Sequence, residues 1–190
     1  HSFYENYALP EKFEFLPEGM IPMCYRADHI DGVFMPNWSL WFIVQSDDYA
    51  KRGGDRQLVA DLKTRITDLL AYFEKFENED GLLEKLESWI FVEWSKANSL
   101  VQDVNYPTNM LYSAALQSAA RLYDNEAWQM KADHIRSQIQ KQSFNGEFFV
   151  DNAVRKDGVL RVTDQITEVC QYYAFFFNIA TPESYPALWK

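Results

Sequence analysis

Apolar residues recur along the chain at intervals of three and four positions, which is the period of amphipathic α-helices. The pattern predicts six helices: residues 37–52, 55–77, 107–123, 126–142 and 163–178, and one that begins at Thr181. Residues 89–94 are instead dense in aromatic and β-branched residues, which favours an extended segment.

Short and long connections alternate between these helices. Gly53-Gly54, Asp124-Asn125 and residues 178–181 are tight breaks, whereas residues 78–106 and 143–162 form long connections. Because successive helices alternate in direction, we expect all tight turns at one end of the array and the long connections at the other.

The predicted fold class is therefore all-α, built from antiparallel helical hairpins. Three hairpins are expected over residues 37–190, after a lead-in segment over residues 1–36. Asn145-Gly146 and Asp157-Gly158 are hairpin-type turn signals, so any strands are expected inside the long connections. Long ordered loops on a rigid scaffold are a usual place for a binding site.

Composition narrows the possible partners. The formal net charge is -10, without the basic stripe that phosphate backbones require, so nucleic acid and anionic membranes are not expected partners. No stretch approaches the length of a membrane span. Aromatic residues make up 16% of the chain, more than a core needs, and aromatic faces pack well on the C–H faces of sugar rings.

The first candidate site is the segment of residues 89–95. A carboxylate at Glu93, between Trp89 and Trp94, could bind sugar hydroxyls while an indole stacks on the ring. Alternatively, both indoles pack beneath the loop and the carboxylate faces solvent. Strand-like alternation would place Trp89, Phe91 and Glu93 on one side and Trp94 on the other.

The second candidate site is the start of the fifth helix. Thr163 is expected to cap it, with Asp164 in the first turn. Gln165 and Glu168 could then reach a cavity, and Glu168 would point the same way as Asp164, four residues earlier. We expect Trp89, Glu93, Trp94, Gln165 and Glu168 to converge on one concavity at the long-connection end.

The third candidate is the run of residues 28–32, which contains Asp28, His29 and Asp31. No second ligand cluster with metal spacing accompanies it, so we expect a turn and no metal site. Asp31 and Trp38, the latter at the mouth of the first helix, are then candidates for substrate binding. No P-loop, GxGxxG or GxSxG motif is present, and no cofactor is expected.

Several segments resemble the α-L-rhamnosidase family of glycoside hydrolases, and look closest to its bacterial members. They are residues 35–41, 78–82, 89–95, 109–121, 167–177 and 180–183. The resemblance extends from about Gly19 to Lys190, and the order and spacing of the segments carry it. It implies a toroid of six helical hairpins, an (α/α)6 fold, of which this chain supplies about three.

The resemblance also implies an inverting hydrolase of terminal α-L-rhamnosides or similar deoxyhexosides. In such enzymes one carboxylic acid protonates the glycosidic oxygen and a second carboxylate activates water. The family's Glu-Arg-x-Gly-Trp type motif, which holds the acid, has no match here, and the base is expected beyond Lys190. The catalytic residues are thus expected outside this chain, and the isolated segment is expected to be inactive.

What matches is the wall of the sugar site: Trp89, Glu93 and Trp94, with Glu93 where the family commonly has Asp. The expected partners are a carbohydrate substrate and the remaining hairpins of the parent protein. Two alternatives stay open: another six-hairpin glycosidase, and a non-catalytic helical scaffold that binds protein.

Overall fold

The structure is a computed structural model that describes residues 1–9, 13–24 and 31–190. Its helices are α1 (Ser2–Ala8), α2 (Pro36–Lys51), α3 (Arg56–Asp61), α4 (Lys63–Glu74), α5 (Tyr106–Tyr123), α6 (Glu126–Ser143), α7 (Glu168–Phe176) and α8 (Pro186–Trp189). A 3₁₀ helix spans Lys96–Ser99, and the strands are β1 (Val104–Asn105), β2 (Asn152–Lys156) and β3 (Val159–Val162).

Three helices begin and end within one or two residues of the sequence prediction: α2, α5 and α6. The predicted helix over residues 55–77 is present as α3 and α4. Only Leu62 separates them, and its amide still donates to the Leu58 carbonyl at 3.1 Å. The first helix, α1, was not predicted.

Side-chain caps explain where several helices start. Asp55 accepts from the Leu58 amide at 2.9 Å, Asn105 from the Thr108 amide at 2.9 Å. The break between α5 and α6 is at Asp124, which adopts the left-handed region with φ 52. Asn and Asp tolerate that region better than most residues, so the chain reverses there within two residues.

Helix α5 lies at the centre, in contact with α2, α4, α6 and α7. It runs parallel to α2, because their starts are joined by the bond from Asn37 to Thr108 and their ends by the bond from Arg121 to Asp47. It runs antiparallel to α6, because Tyr106 at its start donates to Gln142 near the end of α6.

Alanines on α5 allow this close packing. Ala115 and Ala119 are fully buried, and Ser113 donates to the backbone carbonyl of Ala132 on α6 at 2.9 Å. Large side chains fill the remaining core, among them Phe73, Tyr112 and Phe149.

The fold is helical but not all-α. A small antiparallel sheet of order β1-β2-β3 joins the two long connections, with Val104 opposite Ala153 and Val154 opposite Arg161. Asp157 and Gly158, both at positive φ, form the predicted turn between β2 and β3. All three strands thus lie inside the predicted long connections, and the sheet fastens those connections to each other.

Two helix starts near the end of the chain were predicted wrongly. Helix α7 begins at Glu168 with Thr167 as its cap, not at Thr163, so residues 163–167 are extended. At Thr181 the chain makes a turn closed by mutual hydrogen bonds with Ser184, and α8 begins only at Pro186.

Candidate functional site

The loop before the 3₁₀ helix, residues 88–95, is named here the aromatic loop. Its backbone is held at several points: the Trp89 amide donates to the Phe34 carbonyl at 3.1 Å, and the Phe91 amide donates to Oδ1 of Asn37 at 3.1 Å. Asn37 is buried at the start of α2. The loop therefore lies across the start of that helix with its backbone groups turned toward the core.

Three aromatic side chains of this loop form a cluster on the surface. The Phe91 and Trp94 rings are 4.9 Å apart, and the Trp89 ring lies 6.0 Å from Phe91 and 6.2 Å from Trp94, all edge-to-face. Trp94 is 77% exposed and Trp89 is 38% exposed. The predicted alternation is wrong at Trp94, since the turn at residues 94–95 brings its ring to the side of Trp89 and Phe91.

Glu93 is exposed at the edge of this cluster, beside Tyr173 of α7. The Tyr173 hydroxyl donates to the backbone carbonyl of Val92 at 3.1 Å. Burial raises the pKa of this phenol, a hydrogen bond from the indole of Trp41 lowers it, and the Glu93 carboxylate raises it again. Among the described residues, no side chain forms a hydrogen bond or an ion pair with the Glu93 carboxylate.

The helix starts at this end are joined by buried polar side chains. Asn37 donates to Thr108, whose hydroxyl in turn donates to Asn105 at 2.7 Å. Asp151, also buried, accepts from both the amide and the hydroxyl of Thr167 at 2.7 Å. Its backbone carbonyl accepts from the Tyr106 amide at 2.8 Å. The starts of α2, α5 and α7 thus lie at one end, together with the aromatic loop.

This network explains why α7 starts late. The Asp151 amide donates to the Gln165 carbonyl, and the Thr163 amide donates to the Asn152 carbonyl, so residues 163–167 run extended beside β2. Asp164 therefore precedes the helix, and the four-residue spacing to Glu168 does not align the two carboxylates. Burial raises the pKa of Asp151, while the hydrogen bonds from Thr167 oppose that shift.

Gln165 and Glu168 flank the start of α7. The Gln165 side chain donates to Asp164 at 2.9 Å, and Glu168 is exposed in the first helical turn. Neither lines the two cavities described below, and neither do Trp89, Glu93 and Trp94. Their convergence on one concavity stays a prediction.

Trp38 is 44% exposed in the first turn of α2 and lines a cavity of about 520 Å³. The other lining residues are Phe3, Tyr7, Ile21, Pro22, Met23, Trp41, Phe42 and Gln45. Asp31 is exposed, and its carboxylate accepts from the Val33 amide at 3.2 Å. Asp28 and His29 lie outside the described residues.

A larger groove of about 640 Å³, the α7 groove, lies on the other side of Trp41. Half of its lining residues are aromatic, and Tyr172, Phe176 and Trp189 among them are exposed. The Trp41 ring packs 5.3 Å from Phe177, so this indole connects α2 to α7 between the two cavities.

Sequence reasoning missed Phe91, Trp41 and Tyr173 as members of this region. Phe91 was visible as the third aromatic residue of the loop. Trp41 and Tyr173 lie inside the predicted helices 37–52 and 163–178, and only the folded chain brings Tyr173 to a loop 81 residues away.

Within the described ranges, no group of three or more His, Cys, Asp or Glu side chains could hold a metal ion. The helices of those same ranges include none that is long and apolar enough to cross a membrane.

Comparison with models of known protein families finds no match, and comparison with curated proteins finds none either. Among solved structures, the chain is similar to the crystal structure of the GH78 family rhamnosidase of Bacillus sp. GL1, with a TM-score of 0.74 and 18% sequence identity. The similarity covers 85% of this chain and 18% of that chain, so this chain spans under a fifth of that rhamnosidase's length. The fold is therefore rhamnosidase-like, and at this identity the likeness concerns the fold alone.

Proposed function

We propose that this chain is part of a glycoside hydrolase, and that its aromatic loop forms one wall of the carbohydrate site. The observation that carries the proposal is the surface cluster of Trp89, Phe91 and Trp94 on a rhamnosidase-like fold, beside a Glu93 carboxylate that no described side chain pairs with. The parent protein would hydrolyse a terminal α-L-rhamnoside or a similar deoxyhexoside with inversion.

The chemistry of the loop suits a sugar. The indole faces offer flat apolar surface for the C–H side of a pyranose ring. A carboxylate that accepts from sugar hydroxyls forms charge-assisted hydrogen bonds, which are stronger than neutral ones. The loop backbone is already anchored, so little ordering would be needed on binding.

The catalytic acid and base would come from other parts of the parent, which would complete the toroid. We propose that its remaining hairpins cover the α7 groove, whose exposed aromatic residues include Phe176 and Trp189. Burial of such a patch against further helices would account for apolar surface at that position.

The test is an aryl α-L-rhamnoside assay, with calorimetric titration of methyl α-L-rhamnoside, on the full-length parent. Trp94→Ala should weaken sugar binding about 3- to 10-fold by loss of stacking, and Glu93→Gln about 10-fold by loss of a charged acceptor. The matched controls are Met130→Ala and Glu147→Gln, both at exposed positions away from the loop, and both should bind like the wild type.

The isolated 190-residue segment should turn over at least about a hundredfold more slowly than the parent, because a lost acid or base costs that much. Equal activity of segment and parent would contradict the placement of the catalytic groups outside this chain. Unchanged sugar binding in both loop variants would contradict the sugar wall.

The exposed aromatic α7 groove favours a second candidate, a non-catalytic helical scaffold that binds protein. The two candidates predict different results in the calorimetric titration. If the protein is a scaffold, the wild-type parent should not bind methyl α-L-rhamnoside.

A further inference from the structure

Tyr173 connects α7 to the aromatic loop one residue before Glu93. Its hydroxyl donates to the Val92 carbonyl at 3.1 Å, across 81 residues of sequence. Val92 is buried, and its own amide donates to Oδ1 of Asn98 at 2.9 Å. Side chains therefore hold the peptide groups on both sides of Val92. The next residue in the sequence is the exposed Glu93.

A phenol has a single proton to donate. Since Tyr173 donates it to Val92, the hydroxyl has no second proton for the nearby Glu93 carboxylate. The exposed Glu93 carboxylate therefore keeps its acceptor positions for a ligand. The same contact thus fixes the backbone next to Glu93 and occupies no acceptor position of its carboxylate.

We propose that Tyr173 is a positioning residue for carbohydrate binding, and that it acts through Glu93 by anchoring the backbone of Val92. The inference rests on the proposed function, in which Glu93 accepts hydrogen bonds from sugar hydroxyls. Tyr173 itself does not touch the sugar in this proposal.

The ring and the hydroxyl of Tyr173 have separable roles. The ring packs edge-on against Phe177 with centroids 5.2 Å apart, which a phenylalanine would preserve. Tyr173→Phe therefore removes the anchor and keeps the packing. Tyr123→Phe is the matched control, because the Tyr123 hydroxyl donates to the backbone carbonyl of Val59 at 3.0 Å, the same kind of bond at the opposite end of α5.

The first arm of the test measures binding of methyl α-L-rhamnoside to the full-length parent by calorimetry. Tyr173→Phe should weaken binding about 3- to 10-fold, the effect of one lost hydrogen bond, and Tyr123→Phe should not change it. In a Glu93→Gln background, Tyr173→Phe should cost less than about twofold, because coupled positions are not additive. A merely structural role would give equal losses in both backgrounds, and that result would overturn the proposal.

The second arm needs no sugar and measures amide hydrogen exchange of residues 88–95. Tyr173→Phe should speed exchange there about 3- to 10-fold relative to Tyr123→Phe, since the loop loses one of its anchors. Unchanged exchange would overturn the anchoring role whatever the sugar result. If the wild-type parent binds no sugar, the proposed function fails and the carbohydrate part of this inference falls with it, while faster exchange would still support the anchor itself.

Discussion

At one end of the helices, the two-residue turn at residues 124–125 reverses the chain, whereas at the other end residues 75–105 and 144–167 are held by buried amides and a buried carboxylate. The turn at Asp124 depends on one left-handed residue and a neighbouring cap at Asn125. The opposite end depends on Asn37, Asn109 and Asp151, each of which bonds to segments far away in sequence.

The difference shows that local rules set the tight turn at Asp124, while long-range hydrogen bonds set the loops at the end that carries the candidate site. A loop fastened through buried side chains keeps its shape without regular secondary structure, which is what a binding surface needs. The two ends should therefore respond differently to single substitutions.

The largest effect is expected at Asn109, which is fully buried on α5. Its amide accepts from the Leu83 amide at 2.7 Å and donates to the carbonyls of Leu83 and Asn105. Asn109→Leu leaves these buried groups unpaired and should lower the free energy of unfolding by about 3 to 5 kcal/mol. Urea titration measures it, and Asn145→Ala in an exposed turn should cost only about 1 kcal/mol. A loss no larger than that of the control would contradict the comparison.

A smaller effect is expected at the tight-turn end. Asp47 has a side chain that is only 5% exposed and pairs with Arg121 and Lys51. Arg121→Met leaves the carboxylate with one partner and should cost about 2 kcal/mol in urea unfolding, below the value for a fully buried pair because Arg121 is partly exposed. Lys51→Met, which removes the more exposed partner, should cost under about 1 kcal/mol. The reverse order would show that Lys51 is the main partner.

Helices α5 and α6 were predictable because the sequence signals for their starts and ends are local. Apolar spacing, a capping Asn and a reversal at Asp124 all lie within the segments that they define. The start of α7 was predicted wrongly because Thr163 and Thr167 are both acceptable caps, and Asp151, 16 residues away from Thr167, decides between them. The break at Leu62 and the helix α1 left no comparable local signal.

The smallest expected effect concerns pH at the sheet end. A hydrogen bond from Arg155 holds the pKa of Glu84 below its ordinary value; burial opposes this, and the Asn78 amide supports it. A carboxyl with a lowered folded pKa adds stability above its unfolded pKa of about 4.3, and that stability is lost as pH falls through the folded value.

Glu84→Gln should therefore make the free energy of unfolding depend less steeply on pH below about pH 5. The change in slope should correspond to at most one proton. Urea unfolding midpoints across that range measure it. Glu147→Gln, at an exposed turn position, should keep the wild-type profile, and an identical profile for Glu84→Gln would exclude the linkage.

The candidate site was predictable only in part. Trp89, Glu93 and Trp94 stood out because aromatic residues flank a carboxylate in a long connection. Trp41 and Tyr173 did not, because a helical stripe explains an aromatic residue equally well whether it fills a core or holds a loop. The position of the Trp94 ring depends on the turn at residues 94–95, which strand-like alternation does not include.

The hairpin of β2 and β3 has a consequence for how copies of this chain behave in concentrated solution. Strand β3 is one edge of the sheet, and its exposed Val159 and Val162 could template pairing with another chain. Lys156 and Arg161 are exposed on the same hairpin. Two copies that met edge to edge would bring these positive charges together, so the hairpin resists self-association on a molecule that is otherwise strongly acidic.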